Sequence, residues 1–171
     1  MKNSLSNIIL FFSFLIIQVL MSNFINFGPL LLIVVYPLFI LTMPTTTSTS
    51  SLMLWAFAMG LGVDYFTDSI MGLNAAAAVF LAFAQPLVFK LVCRKGELEN
   101  QIRPGLAELG LRRFLTFIFI GLVIHNVTIV FLENFSLAFN LHSLIRIVLS
   151  LFVNSVLILL IEIGIFYKNW R

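Results

Sequence analysis

The sequence predicts an all-α integral membrane protein: a single polytopic bundle of six transmembrane helices. Three observations carry this. The chain of 171 residues is 61% hydrophobic and only 10% charged, with a mean hydropathy of +1.10, where soluble domains average about 45–50% apolar and about 25% charged. Its apolar residues fall into segments near the length of about 20 residues that a spanning helix needs. Its basic residues are segregated between alternate connections, as cytoplasmic loops require.

The expected spans are 5–23, 29–43, 51–66, 70–92, 113–132 and 144–166. The opening run follows a single Lys2 and has no small-residue cleavage site after it, so it reads as a retained first span. The second is short, opened by Pro29, bent near Pro37 and closed by Pro44. Proline removes a backbone hydrogen bond that hydrocarbon cannot replace, so Pro37 should face protein. The third ends in "GVDYFTD" and could instead be a re-entrant partner of the fourth.

Charge decides between five spans and six. With six, Lys2, the loop 93–112 (with Arg94, Lys95, Arg103 and Arg112), Lys90 and Arg113 beside it, Lys168 and Arg171 share one side, and only Arg146 of the ten basic residues lies opposite. Five spans would place Lys2 across the membrane from the basic loop. Both termini are therefore expected in the cytoplasm. The loop itself reads either as a solvated segment meeting anionic lipid or as a cytoplasmic docking surface. The net charge of +3 then reflects membrane orientation rather than nucleic-acid binding. Cys93 is the only cysteine, so no intrachain disulfide forms.

Polar groups at membrane depth are costly and need partners. Gln18 is one in the first span. Asn74 and Gln85 in the fourth lie eleven residues apart, three turns along one face. They line a polar cavity or bond neighbouring helices together, and Ala75–Ala78 and Ala82 allow close approach. His125 and Asn126 sit near the middle of the fifth span, with Glu133 at its outer end; His125 is a proton relay or a neutral, hydrogen-bonded side chain. Arg146, Ser150 and Asn154 share a face of the sixth. Glu162 points elsewhere, toward the inner surface, where Lys168 or the basic loop could neutralise it.

A lone desolvated Arg146 would be untenable. Asp64, Asp68 and Glu133 lie at its level in the six-span arrangement, and one of them is expected to be its counter-ion. Gly60 and Gly62 permit helix approach before the two aspartates, and Gly72 permits a reversal after them. Catalysis is not expected. The paired carboxylates lack a metal-ligating histidine motif, a phosphate-binding glycine loop or a cysteine cluster, so no catalytic residue, cofactor or metal is assigned.

The whole chain resembles the rod shape-determining MreD family. The most specific element is Gly60-x3-Asp64-x7-Gly72 at the junction of the third and fourth spans. Gln18, the "GPLLLIVVYPLF" segment with Pro29 and Tyr36, and Pro44 add weaker support. The Thr/Ser run after Pro44 lacks the basic character expected of that turn, and Asp68 is not part of the pattern. The resemblance implies a non-enzymatic subunit of the bacterial cell-elongation complex in the inner membrane. It would bind MreC and through it MreB, RodA and penicillin-binding protein 2, supporting lateral peptidoglycan synthesis and cell shape. The family's fold is similar to that of S components of energy-coupling factor transporters. The alternative function is therefore substrate binding in such a transporter, with an outward pocket lined by Asp64, Asn74, Gln85, His125 and Arg146.

Overall fold

The computed structural model describes residues 2–25, 28, 31–67, 69–93, 103–134 and 141–166. Asp68, Pro29, Arg94, Lys95, Lys168 and Arg171, all used in the sequence reading, lie outside them, and so does the side chain of Lys2. The described chain is all-helical: α1 (Lys2–Phe24), α2 (Pro37–Leu41), α3 (Thr49–Phe66), α4 (Leu73–Val92), α5 (Leu106–Leu109), α6 (Leu111–Asn134) and α7 (Leu141–Ile161), the last continued by a π-helical turn, Glu162–Phe166.

Four helical stretches are long and apolar enough to cross a membrane: Leu5–Phe24, Leu73–Val92, Leu111–Glu133 and Leu141–Gly164. This makes the chain a multi-pass membrane protein by length and composition. α3 has 18 residues, about 27 Å at 1.5 Å per residue, a little short of the roughly 30 Å hydrocarbon core. Its start is set by Ser48, whose hydroxyl accepts the Ser51 N–H at 3.3 Å, the side-chain capping that serine favours.

The segment expected as the second spanning helix is different. Residues 31–35 are not helical, and the helix that follows has five residues. Ile33, Val34 and Val35 are β-branched and suit an extended chain. Pro37 opens α2 near its N-terminus, where its missing N–H costs nothing, and only six residues separate it from Pro44. Pro37 faces protein, as expected from its missing N–H, and Val34 to Met43 around it are nearly inaccessible. This segment is the centre of the molecule, with α1, α3, α4 and α6 packed on α2.

α3 and α4 form a tight hairpin, and α4 packs on α6 and α6 on α7. The core joins Phe14, Tyr36, Leu38, Met59, Leu81, Phe114 and Phe117 across these elements. Many large apolar side chains remain on the outside, among them Phe12, Leu54, Phe83, Leu87 and Phe152, as a lipid-facing surface requires.

Candidate functional site

Most of the polar residues buried in this bundle form two clusters that meet at residues 35–36, and the first begins at the opening of α4. A helix start leaves its first backbone N–H groups without intrahelical partners. Here they are satisfied from the preceding helix. Asp64, on the last turn of α3, accepts the backbone N–H groups of Gly72 (3.0 Å), Asn74 (3.1 Å) and Ala75 (3.2 Å). It also accepts the Ser69 hydroxyl and the Asn74 side-chain amide, both at 2.8 Å. A carboxylate facing the positive end of a helix dipole is favourable on its own account. Asp64 is 2% exposed, so these bonds replace its lost hydration.

The flanking glycines make the approach possible. A Cβ on Gly60 would sit 2.6 Å from the Ala75 nitrogen and overlap its Cα, so only glycine lets α3 and the start of α4 touch backbone to backbone. Gly72 has φ +92°, the left-handed region that glycine enters without strain. It turns the chain into α4 while its N–H points at Asp64. The three residues singled out by spacing thus build one joint.

From this joint a hydrogen-bonded chain runs inward. Asn74 gives its amide N–H to Asp64, so its Oδ1 faces Tyr36, whose hydroxyl donates to it at 3.2 Å. The Tyr36 oxygen lies 2.5 Å from His125 Nε2. Since the Tyr36 proton is committed to Asn74, Nε2 must carry the hydrogen that Tyr36 accepts. His125 Nδ1 is then an acceptor, 3.5 Å from Asn126 Oδ1, while Asn126 Nδ2 is buried with no partner. Exchanging the ends of the Asn126 amide, which are assigned from such networks, lets Nδ2 donate to His125 Nδ1. The carboxylate therefore fixes the direction of every bond as far as α6.

The second cluster serves the extended segment. Gln18 accepts the Val35 N–H at 2.7 Å and donates to the Ile33 carbonyl at 3.0 Å. From the other side Asn154 accepts the Val34 N–H at 3.1 Å and donates to the Leu32 carbonyl at 2.8 Å. Ser150 accepts the Leu32 N–H at 2.9 Å. The amides of α1 and α7 take the places that peptide groups of neighbouring strands would take. Non-helical backbone at membrane depth persists only where protein satisfies it in this way.

Arg146 does not pair with Asp64. Its guanidinium meets Glu133 in a two-point ion pair, at 2.5 and 3.2 Å, because the end of α6 and the start of α7 lie side by side. Gln85 shares the buried face of α4 with Asn74 but bonds elsewhere, donating to the Leu41 carbonyl at 3.4 Å. At the opposite end of the bundle, Glu162 accepts the Leu106 N–H at 3.1 Å, and Gly105 leaves room for it: a Cβ there would lie 2.8 Å from Glu162 Oε1. Arg103 binds the Thr42 carbonyl and hydroxyl at 3.2 and 3.1 Å; burial lowers its pKa, and the Glu162 carboxylate acts to raise it again.

The five side chains proposed to line an outward pocket are thus bonded to each other, to Tyr36 and other neighbouring side chains, to Glu133 or to backbone. Gly60, Asp64, Gly72, Asn74 and His125 come together; Arg146, Gln85 and Asn154 serve other joints. The sequence reading gave Tyr36 no chemical role, although its hydroxyl is the one polar side chain in the run "LLLIVVYPLFIL". Among the described residues no group of three or more His, Cys, Asp or Glu could hold a metal ion. No family model, curated protein or solved structure matches the chain.

Proposed function

We propose that this protein is a non-enzymatic, MreD-like subunit of the bacterial cell-elongation machinery in the inner membrane. It crosses the membrane six times, by α1, the segment 31–43, α3, α4, α6 and α7, with both chain ends cytoplasmic. It acts by contact with an MreC-like protein, and through it with MreB, RodA and penicillin-binding protein 2. The observation that carries this reading is the joint of Gly60, Asp64 and Gly72. The spacing that resembles the family's element has a stereochemical reason here, since each of the three residues is needed to bring α3 onto the start of α4. The orientation is supported by Lys90, Arg103, Arg112 and Arg113, which gather at the end of the bundle away from Asp64 and Glu133.

The transporter reading needs an interior ligand site. It is disfavoured because the polar side chains it would use are each already hydrogen-bonded within the bundle. Depleting the protein from its host separates the two. Loss of rod shape and of side-wall peptidoglycan insertion is the expected outcome. Retained shape with loss of uptake of a small nutrient would favour the transporter.

A further inference from the structure

We infer that the basic end of the bundle carries a specific site for an anionic phospholipid, between the end of α4 and the start of α6. A cavity of about 590 Å³ opens there. Its lining combines an apolar wall of Leu91, Val92, Leu109 and Ile120 with the side chains of Arg112 and Arg113. Leu91 is 72% exposed and Arg112 is exposed as well, so both face whatever fills the cavity. Arg113 is positioned by its own fold: its Nε–H donates to the Leu109 carbonyl at 2.8 Å. The Gly110 backbone, at φ +73°, turns the chain sharply between α5 and α6.

The level of this cavity selects its occupant. Val92 ends one stretch long and apolar enough to span, and Leu111 begins another, so the cavity straddles the boundary between hydrocarbon and headgroups. A soluble phosphate would use the guanidinium groups but has no need of the leucine and isoleucine wall. A zwitterionic lipid would use the wall but gain little from two adjacent cations. An anionic phospholipid uses both, with its phosphate at Arg112 and Arg113 and an acyl chain along Leu91 and Ile120. This site is independent of the cell-elongation reading, since it rests on the cavity and its charges alone.

The test is native mass spectrometry of the full chain, purified in detergent and offered phosphatidylglycerol or phosphatidylcholine. Each basic side chain near a membrane surface favours an anionic lipid by about fivefold. Phosphatidylglycerol should therefore be retained in clear preference, and Arg112→Gln should lower that retention about fivefold while Arg112→Lys keeps most of it. Leu91→Trp, which fills the wall and leaves both arginines, should lower it too. Equal retention of the two lipids, or unchanged retention in Arg112→Gln and Leu91→Trp, overturns the proposal. Displacement of phosphatidylglycerol by millimolar inorganic phosphate, with no effect of Leu91→Trp, would make this a free-phosphate site and also overturn it.

Discussion

Asp64 shows how one side chain can organise a junction between helices. Its two oxygens receive three backbone and two side-chain donors. Each buried donor left without an acceptor costs about 1–3 kcal/mol. Asp64→Ala should therefore destabilise the fold by at least about 3 kcal/mol, read as a lower unfolding temperature in detergent and less folded protein in the membrane. Asp64→Asn, which keeps an acceptor oxygen, should lose less. Normal accumulation of Asp64→Ala with lost function would instead assign the carboxylate to a partner. Tyr36→Phe removes the hydroxyl between Asn74 and His125 and takes away the partner of Asn74 Oδ1 and of His125 Nε2. It should cost about 2 kcal/mol without changing the shape of the core, and the same unfolding measurement checks it. The sequence made Asp64 conspicuous but not its partners. A carboxylate at a helix end is compatible with a cation or with the N–H groups of the next helix, and only the close packing at Gly60 decides. Arg146 shows the same ambiguity from the cation's side: Asp64, Asp68 and Glu133 were equivalent by level, and the adjoining ends of α6 and α7 select Glu133.

At the scale of elements, four long helices were legible because hydropathy and length suffice for a spanning helix, whereas α3, shorter, was also compatible with a re-entrant partner of α4. The segment 31–43 was legible only as buried. An apolar run of this length reads as a helix when periodicity is the guide, yet its β-branched residues and two prolines favour the extended chain and short helix observed. The polar residues Gln18, Ser150 and Asn154 carried the missing information. Gln18 read only as a polar group in need of a partner, and Ser150 and Asn154 as residues sharing a face with Arg146; together they are the edge partners of one extended segment. This predicts the result of removing them. Gln18→Leu and Asn154→Leu each strip a buried N–H and a buried carbonyl of their bonds, at about 2–4 kcal/mol for the pair of groups. Because both act on the same five residues, the double variant should depart from additivity by at least about 0.5 kcal/mol. A double-mutant cycle on the unfolding temperature measures it. Strict additivity would mean that the two amides hold independent elements.

For the molecule as a whole, the interior is closed by its own polar side chains, while apolar grooves open outward between helices. One lies between α3 and α4, lined by Met53, Phe57, Ala75 and Phe80, and another between α4 and α6, lined by Ala76, Phe80, Val127 and Phe131. On the proposed reading, a protein so arranged acts through contacts at or within the bilayer. The six-crossing arrangement predicts that a reporter fused after Glu133 behaves as external and one fused after Gly96 as cytoplasmic; an external result at Gly96 would contradict it. The central claim is that this chain serves as a membrane partner in cell elongation, and isolation of its complexes from native membranes tests it most directly. The account predicts recovery of a bitopic MreC-like protein in stable association with the full chain, whereas repeated recovery of a transporter ATPase module in its place would contradict it.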